Sequence, residues 1–187
     1  MLMNPFARRR DAHALAVGMA GVKMGDRIAQ VGCADGARLA AVAGKVGLSG
    51  RAVAYVADDA AAGRARKGGE QAGVLIEVEL APPTSLPADA GSFDLTLADD
   101  AGGALGSLSE PDRARAIGEL LRVLRDGGRA MIVGLAPSTG LGAFFKGAAP
   151  APSYDRVAAL KAAGFRSVRV LAEREGLVFV EGMKPRT

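Results

Sequence analysis

Arg27-Ile28-Ala29-Gln30-Val31-Gly32-Cys33-Ala34-Asp35-Gly36 decides how this chain is read. The apolar run ending at Val31 has the length and composition of a buried strand. Ala37-Arg38-Leu39-Ala40-Ala41-Val42-Ala43 has those of a helix. A glycine-bearing loop between a parallel strand and a helix turns the backbone sharply. It also presents free N–H groups at the helix start, where α/β folds collect anionic or nucleotide-bearing ligands. Gly32, Cys33, Ala34, Asp35 and Gly36 are therefore candidate binding residues, as is Gln30 on the strand. Asp35 is placed either to cap the helix or to face a ligand amine.

Working outward, strand and helix signals alternate. The spacing predicts strands over Arg27–Val31, Ala52–Ala57, Leu75–Leu80, Phe93–Ala98 and Ala130–Gly134. It predicts helices over Gly36–Val46, Asp59–Ala72, Glu110–Leu124 and Tyr154–Ala163. Pro82-Pro83 ends the third strand, because proline cannot extend a ladder. Asp126-Gly127-Gly128 is read as a helix stop. Ser167–Ala172 and Leu177–Glu181 close the chain, and the short Glu173-Arg174-Glu175-Gly176 link forces them antiparallel. Repeated β–α units predict a parallel sheet covered on both faces.

The bulk composition restricts function. The chain has 187 residues, 49% of them hydrophobic and 24% charged, which suits one globular domain. A net charge of +4 is spread over helix faces, and only 4% of residues are aromatic. Specific nucleic-acid recognition is not expected. No apolar run is long enough to cross a membrane. The lone Cys33 makes no internal disulfide, so a reducing, cytoplasmic setting is expected. His13 is the only histidine, which excludes a histidine-rich metal site, and no metal is expected. Arg8-Arg9-Arg10 and the apolar Ala14–Ala20 loosely resemble a secretion signal. Asp11, His13 and Lys23 break that pattern, and a helical lead-in over residues 1–23 is expected instead.

The layout resembles the class I S-adenosylmethionine-dependent methyltransferases. Four segments carry the resemblance. They are Lys23-Met24-Gly25-Asp26-Arg27 leading to Val31-Gly32-Cys33, then Gly91-Ser92-Phe93-Asp94-Leu95, then Leu120–Arg129 with its double glycine, and Leu160-Lys161-Ala162-Ala163-Gly164-Phe165 before the closing hairpin. The resemblance implies a Rossmann-like, three-layer αβα sandwich. Its seven-stranded, mostly parallel sheet would have the order 3-2-1-4-5-7-6, with strand seven antiparallel and residues 24–187 as the core of a single domain. It also implies methyl transfer from S-adenosylmethionine to an acceptor, expected to be a small molecule.

The cofactor site departs from the family pattern. Ala34 stands at the middle glycine of the G-x-G-x-G loop, and Gln30 at an acidic strand position. Val56 stands at the acid that holds the ribose, with Asp58 two residues on. Pro82 stands at an acid near the adenine, and Pro83 beside it is counted with the site. Weak S-adenosylmethionine binding is therefore expected, and a noncatalytic binding or regulatory module is the alternative. Asp99 and Asp100 are the catalytic candidates, to orient the sulfonium or accept a proton; a solvated turn into Gly102-Gly103 is the other reading. Phe144-Phe145 is expected to cover the acceptor pocket or pack its loop. The sequence is silent on oligomeric state, and a homo-oligomer stays open.

Overall fold

In the computed structural model, which describes residues 5–136 and 154–186, the elements follow one another as α1 (Pro5–Ala20), β1 (Arg27–Val31), α2 (Gly36–Ala43), β2 (Arg51–Val56), α3 (Asp59–Ala72), β3 (Glu77–Leu80), β4 (Phe93–Asp99), a 3-10 turn (Asp100–Gly102), α4 (Glu110–Val123), β5 (Leu124–Leu135), α5 (Arg156–Ala162), β6 (Arg166–Arg174) and β7 (Leu177–Met183). The strands form one seven-stranded sheet in the order β3-β2-β1-β4-β5-β7-β6. β3, β2, β1, β4 and β5 run parallel, while β7 is antiparallel to β5 and to β6. This is the expected Rossmann-like methyltransferase architecture.

The apolar alternation sorts side chains to two faces. Val31, Val53, Tyr55, Phe93, Ile117, Leu120, Leu160 and Phe165 pack on the α4–α5 side. Ala16, Ala20, Ile28, Val42, Leu97, Met131 and Phe179 pack on the α1–α2 side. A third cluster joins α2 and α3 to β2 through Leu39, Ala54, Val56, Ala61, Ala62 and Ala65. The starts of α3 and α5 are capped by aspartate side chains. Asp58 accepts from Ala61 N–H at 2.7 Å, and Asp155 accepts from Ala158 N–H at 2.9 Å.

Several boundaries differ from expectation. α2 ends at Ala43, because Gly44 to Val46 leave the helix and Val46 turns into the core. β3 begins at Glu77, two residues late, so Leu75 lies outside the sheet and is exposed. β5 takes in Asp126-Gly127-Gly128, which was expected to be only a helix stop. Leu124 pairs with Phe93 and Arg129 with Leu95, so residues 125–128, with both glycines, form a bulge in a ladder that has already begun. Gly127 has φ +68, and its N–H reaches Lys184 O at 3.2 Å. The closing turn behaves as its residues dictate: Glu175 (φ +56) and Gly176 (φ +74) make a two-residue hairpin loop of the twist that suits β6 and β7.

Asp94 explains why the Phe93-Asp94 lead-in matters. Its carboxylate accepts from Arg27 N–H at 2.8 Å and from Arg125 Nε at 2.5 Å, tying the starts of β1, β4 and β5 together. Burial works against its ionisation, but the Arg125 and Arg27 bonds outweigh it and hold the carboxyl below its ordinary pKa.

Candidate functional site

The sheet order reverses between β1 and β4, and the loops after these strands flank the crevice where open α/β sheets bind ligands. The two loops touch. Gly32 (φ +76) has no room for a side chain: an added Cβ would stand 2.6 Å from Ala104 Cβ and 3.1 Å from Asp99 O. Ala34 lies against Gly102, where an added Cβ would be 3.2 Å from its methyl. The Ala34 methyl is thus accommodated by a glycine of the opposite loop.

Asp99 completes the closure. It ends β4 and is 4% exposed. Its Oδ2 accepts from Ala34 N–H at 2.8 Å and Asp35 N–H at 3.4 Å, while its Oδ1 pairs with Arg38 of α2 at 2.6 Å. Asp100 is equally buried and turns the other way. Its Oδ1 accepts from Leu105 N–H at 2.8 Å and Gly106 N–H at 2.7 Å, and its Oδ2 meets Arg156 at 3.3 Å. Neither carboxylate belongs to the solvated turn offered as one reading.

Arg156, the first residue of α5, lies flat on Gly134 of β5, so closely that any side chain there would overlap its guanidinium. Two guanidinium groups lie over the Tyr154 ring, Arg113 at 4.5 Å and Arg156 at 5.3 Å from its centre. Burial, and then the neighbouring Asp100, push the Tyr154 hydroxyl far above its ordinary pKa. Tyr154 Oη is buried beside the Asp100 carboxylate, and Arg156 Nε is buried with no hydrogen-bond partner among the described residues. Arg38, Arg113, Tyr154 and Arg156 were not anticipated. Only their distances across the sheet reveal them, and no local motif marks them.

The other expected residues have local structural duties. Gln30 Nε2 donates to Gly32 O at 2.9 Å and braces the loop. Asp35 caps α2, accepting from Ala37 N–H at 2.9 Å and Arg38 N–H at 3.2 Å, which is the first of its two readings. Gly36 opens α2 against the Arg64 carbonyl and Gly68 of α3. Cys33 is buried, its carbonyl accepts from Arg64 Nε at 2.7 Å, and burial followed by Asp99 pushes its thiol up to about 11. Val56 is fully buried at the end of β2, in the cluster with Ala61, Ala62 and Ala65. Asp58 is exposed and caps α3. Pro82 is exposed and Pro83 half-buried just beyond β3. His13 is half-buried on α1. Phe144 and Phe145 lie outside the described residues. Among the described residues, no group of three or more His, Cys, Asp or Glu side chains could hold a metal ion. No helix among them is long and apolar enough to cross a membrane.

No curated protein sequence matches the chain. Among solved structures, an S-adenosylmethionine-dependent methyltransferase from Aquifex aeolicus is 20% identical, with a TM-score of 0.75 over 98% of this chain and 100% of that one. An S-adenosylmethionine-dependent O-methyltransferase from Thermotoga maritima is 17% identical, with a TM-score of 0.67 over 100% of this chain and 68% of that one. The [4+2]-cyclase SpnF is also 17% identical, with a TM-score of 0.68 over 95% of this chain and 81% of that one. These likenesses establish the fold, and the cyclase is a reminder that the fold hosts other chemistry. The sequence profile described as "Methyltransferase domain" matches residues 28–128, from β1 into β5 and across both loops of the crevice. The chain therefore belongs to the methyltransferase domain family.

Proposed function

We propose that this chain is a methyltransferase that uses S-adenosylmethionine and acts on a small-molecule acceptor. One observation supports the reading above the others: Ala34 N–H, Asp35 N–H and the Arg38 guanidinium converge at the switch point between β1 and β4, and together they hold a carboxylate. S-adenosylmethionine carries a carboxylate at one end and a nucleoside at the other. The donors fit its amino-acid end. The ribose end has no acceptor at Val56, which is apolar, and Asp58 Oδ1 is engaged by Ala61 N–H. Modest affinity follows, of order 100 μM, a few kcal/mol short of a micromolar site.

When bound, S-adenosylmethionine supplies an electrophilic methyl group on a sulfonium centre. The chain's own residues align the partners, and such alignment carries most of the acceleration in an in-line displacement. Asp100 is a positioning residue: two amide bonds and Arg156 occupy its carboxylate, and it holds the turn at Leu105–Gly106. Tyr154 stays protonated through the neutral range, so it serves as a hydrogen-bonding hydroxyl and not as a phenolate base. Arg156 and Arg113 bring positive charge to the end of β4 and β5, suited to an acceptor with an oxygen that gains negative charge.

Calorimetric titration with S-adenosylmethionine and S-adenosylhomocysteine tests the reading, followed by transfer of labelled methyl to a panel of phenols and amines. Saturable binding with transfer supports it; no heat from either ligand at millimolar concentration sinks it. The noncatalytic alternative draws on Asp99 filling the loop's donors. It would be indicated by ligand-induced thermal stabilisation without transfer to any acceptor.

A further inference from the structure

The geometry points to Asp99 as an internal competitor that decides whether a carboxylate-bearing ligand can enter the crevice. This inference rests on the ligand class proposed above. Asp99 brings its carboxylate to two loop amides, at 2.8 and 3.4 Å, and to Arg38 at 2.6 Å. Three donors thus seat one carboxylate: a single guanidinium nitrogen on one oxygen and two backbone amides on the other. Asp99 carries neither of the two local capping duties at this junction. The α2 start is already capped by Asp35, and the turn after β4 is already held by Asp100.

The donors face the side of the loop that meets the β4 loop, and the two loops approach closely at Gly32–Ala104 and Ala34–Gly102. A ligand whose carboxylate uses these donors must displace Asp99 and part the loops. A nucleoside without a carboxylate makes no demand on the seat. Gly102 and Gly103 (φ +81) follow the Asp99-Asp100 pair after one residue, Ala101, so backbone freedom for this movement lies close to the latch. Arg38 is 12% exposed, and a ligand carboxylate that replaces Asp99 restores its partner. The exchange is therefore one carboxylate for another, and its balance depends on Asp99. Asp99 then sets selectivity between S-adenosylhomocysteine and 5′-methylthioadenosine, which share the nucleoside and differ in the amino-acid tail.

The test titrates both nucleosides into the native protein, Asp99→Ala and Asp99→Asn, and into Asp99→Ala combined with Arg38→Met. Amide hydrogen exchange at Ala34 is followed in parallel. Asp99→Ala should bind S-adenosylhomocysteine at least tenfold more tightly than the native protein, with methylthioadenosine unchanged within twofold. Adding Arg38→Met should abolish the gain. The Ala34 amide should exchange at least tenfold faster in free Asp99→Ala and slow again on addition of S-adenosylhomocysteine. Asp99→Asn keeps the shape and removes the charge, so it should show a smaller gain in the same direction, and it carries the test if the alanine variant does not fold. Unchanged or weaker binding of S-adenosylhomocysteine, or equal tightening of both nucleosides, overturns the inference. If methylthioadenosine still binds in that case, the seat alone fails. If neither nucleoside binds any variant, the cofactor reading fails with it.

Discussion

Gly36 of α2 and Gly68 of α3 meet across the helix–helix contact, where the backbone of the facing helix fills the space that either side chain would occupy. An added Cβ on Gly36 would overlap the Arg64 carbonyl, and one on Gly68 would overlap the Gly36 carbonyl. Backbone meets backbone here, so no rotamer change can relieve a substitution. Gly68→Ala and Gly36→Ala should each cost about 3 kcal/mol through forced separation of the helices. In a domain of this size that lowers Tm by roughly 6–12 °C. Gly63, on the exposed side of α3, has nothing within 4 Å of an added Cβ. Gly63→Ala should therefore stabilise by about 0.5–1 kcal/mol. Thermal and urea unfolding of the three variants measure the contrast, and equal behaviour of Gly63→Ala and Gly68→Ala would contradict the packing argument.

Asp94 should contribute to the acid limb of stability. Its folded pKa is depressed, so its contribution is present above the unfolded carboxylate range and lost as pH falls through the folded value. Asp94→Asn should be less stable than the native protein by about 1–2 kcal/mol near neutral pH. The two should converge once pH falls below both values. Urea midpoints from pH 7 down to pH 2 give the comparison; a gap that stays constant to the lowest pH would show that lost packing, and not ionisation, is responsible.

Cys33 should be unreactive in the folded protein. Its thiol is buried and pushed up to about 11, so almost no thiolate is present at pH 8. Iodoacetamide labelling at pH 8 should be slow and should become fast only on unfolding. Rapid stoichiometric labelling of the native chain would mean that the β1 loop opens far more readily than its contacts with Asp99 and Arg64 indicate.

Val56→Asp together with Ala34→Gly should restore the missing ribose acceptor and loosen the contact with Gly102. In the free protein the new carboxylate enters the apolar cluster of Ala61, Ala62 and Ala65, at a cost of about 3 kcal/mol in stability. The nucleoside should then bind at least tenfold more tightly, since two charge-assisted hydrogen bonds become available. Calorimetry reads the affinity and melting curves read the stability. Unchanged affinity would place the ribose away from the end of β2.

The sequence alone determined what depends on short-range pattern. Apolar runs of strand length, helical spacing in Ile117, Leu120, Leu121 and Leu124, and the Glu175-Gly176 turn are local properties. They sufficed for the alternation, the antiparallel closing pair and, through the family resemblance, the strand order. Local pattern failed at boundaries where a tertiary partner overrides propensity. Gly127-Gly128 looks like a helix stop, yet Leu124 is already paired with Phe93 before it. The glycine loop was legible as a strand-to-helix junction because strand, glycines and helix are contiguous. Its state was not. Asp99 lies 65 residues from Ala34 in sequence, and only the adjacency of β1 and β4 brings its carboxylate to that amide. Arg156 likewise reaches Asp100 from 56 residues away, because Gly134 leaves room for it. Periodicity carries no information about which distant charge fills a donor, since that depends on strand order and on where each helix begins. The tertiary structure decided it.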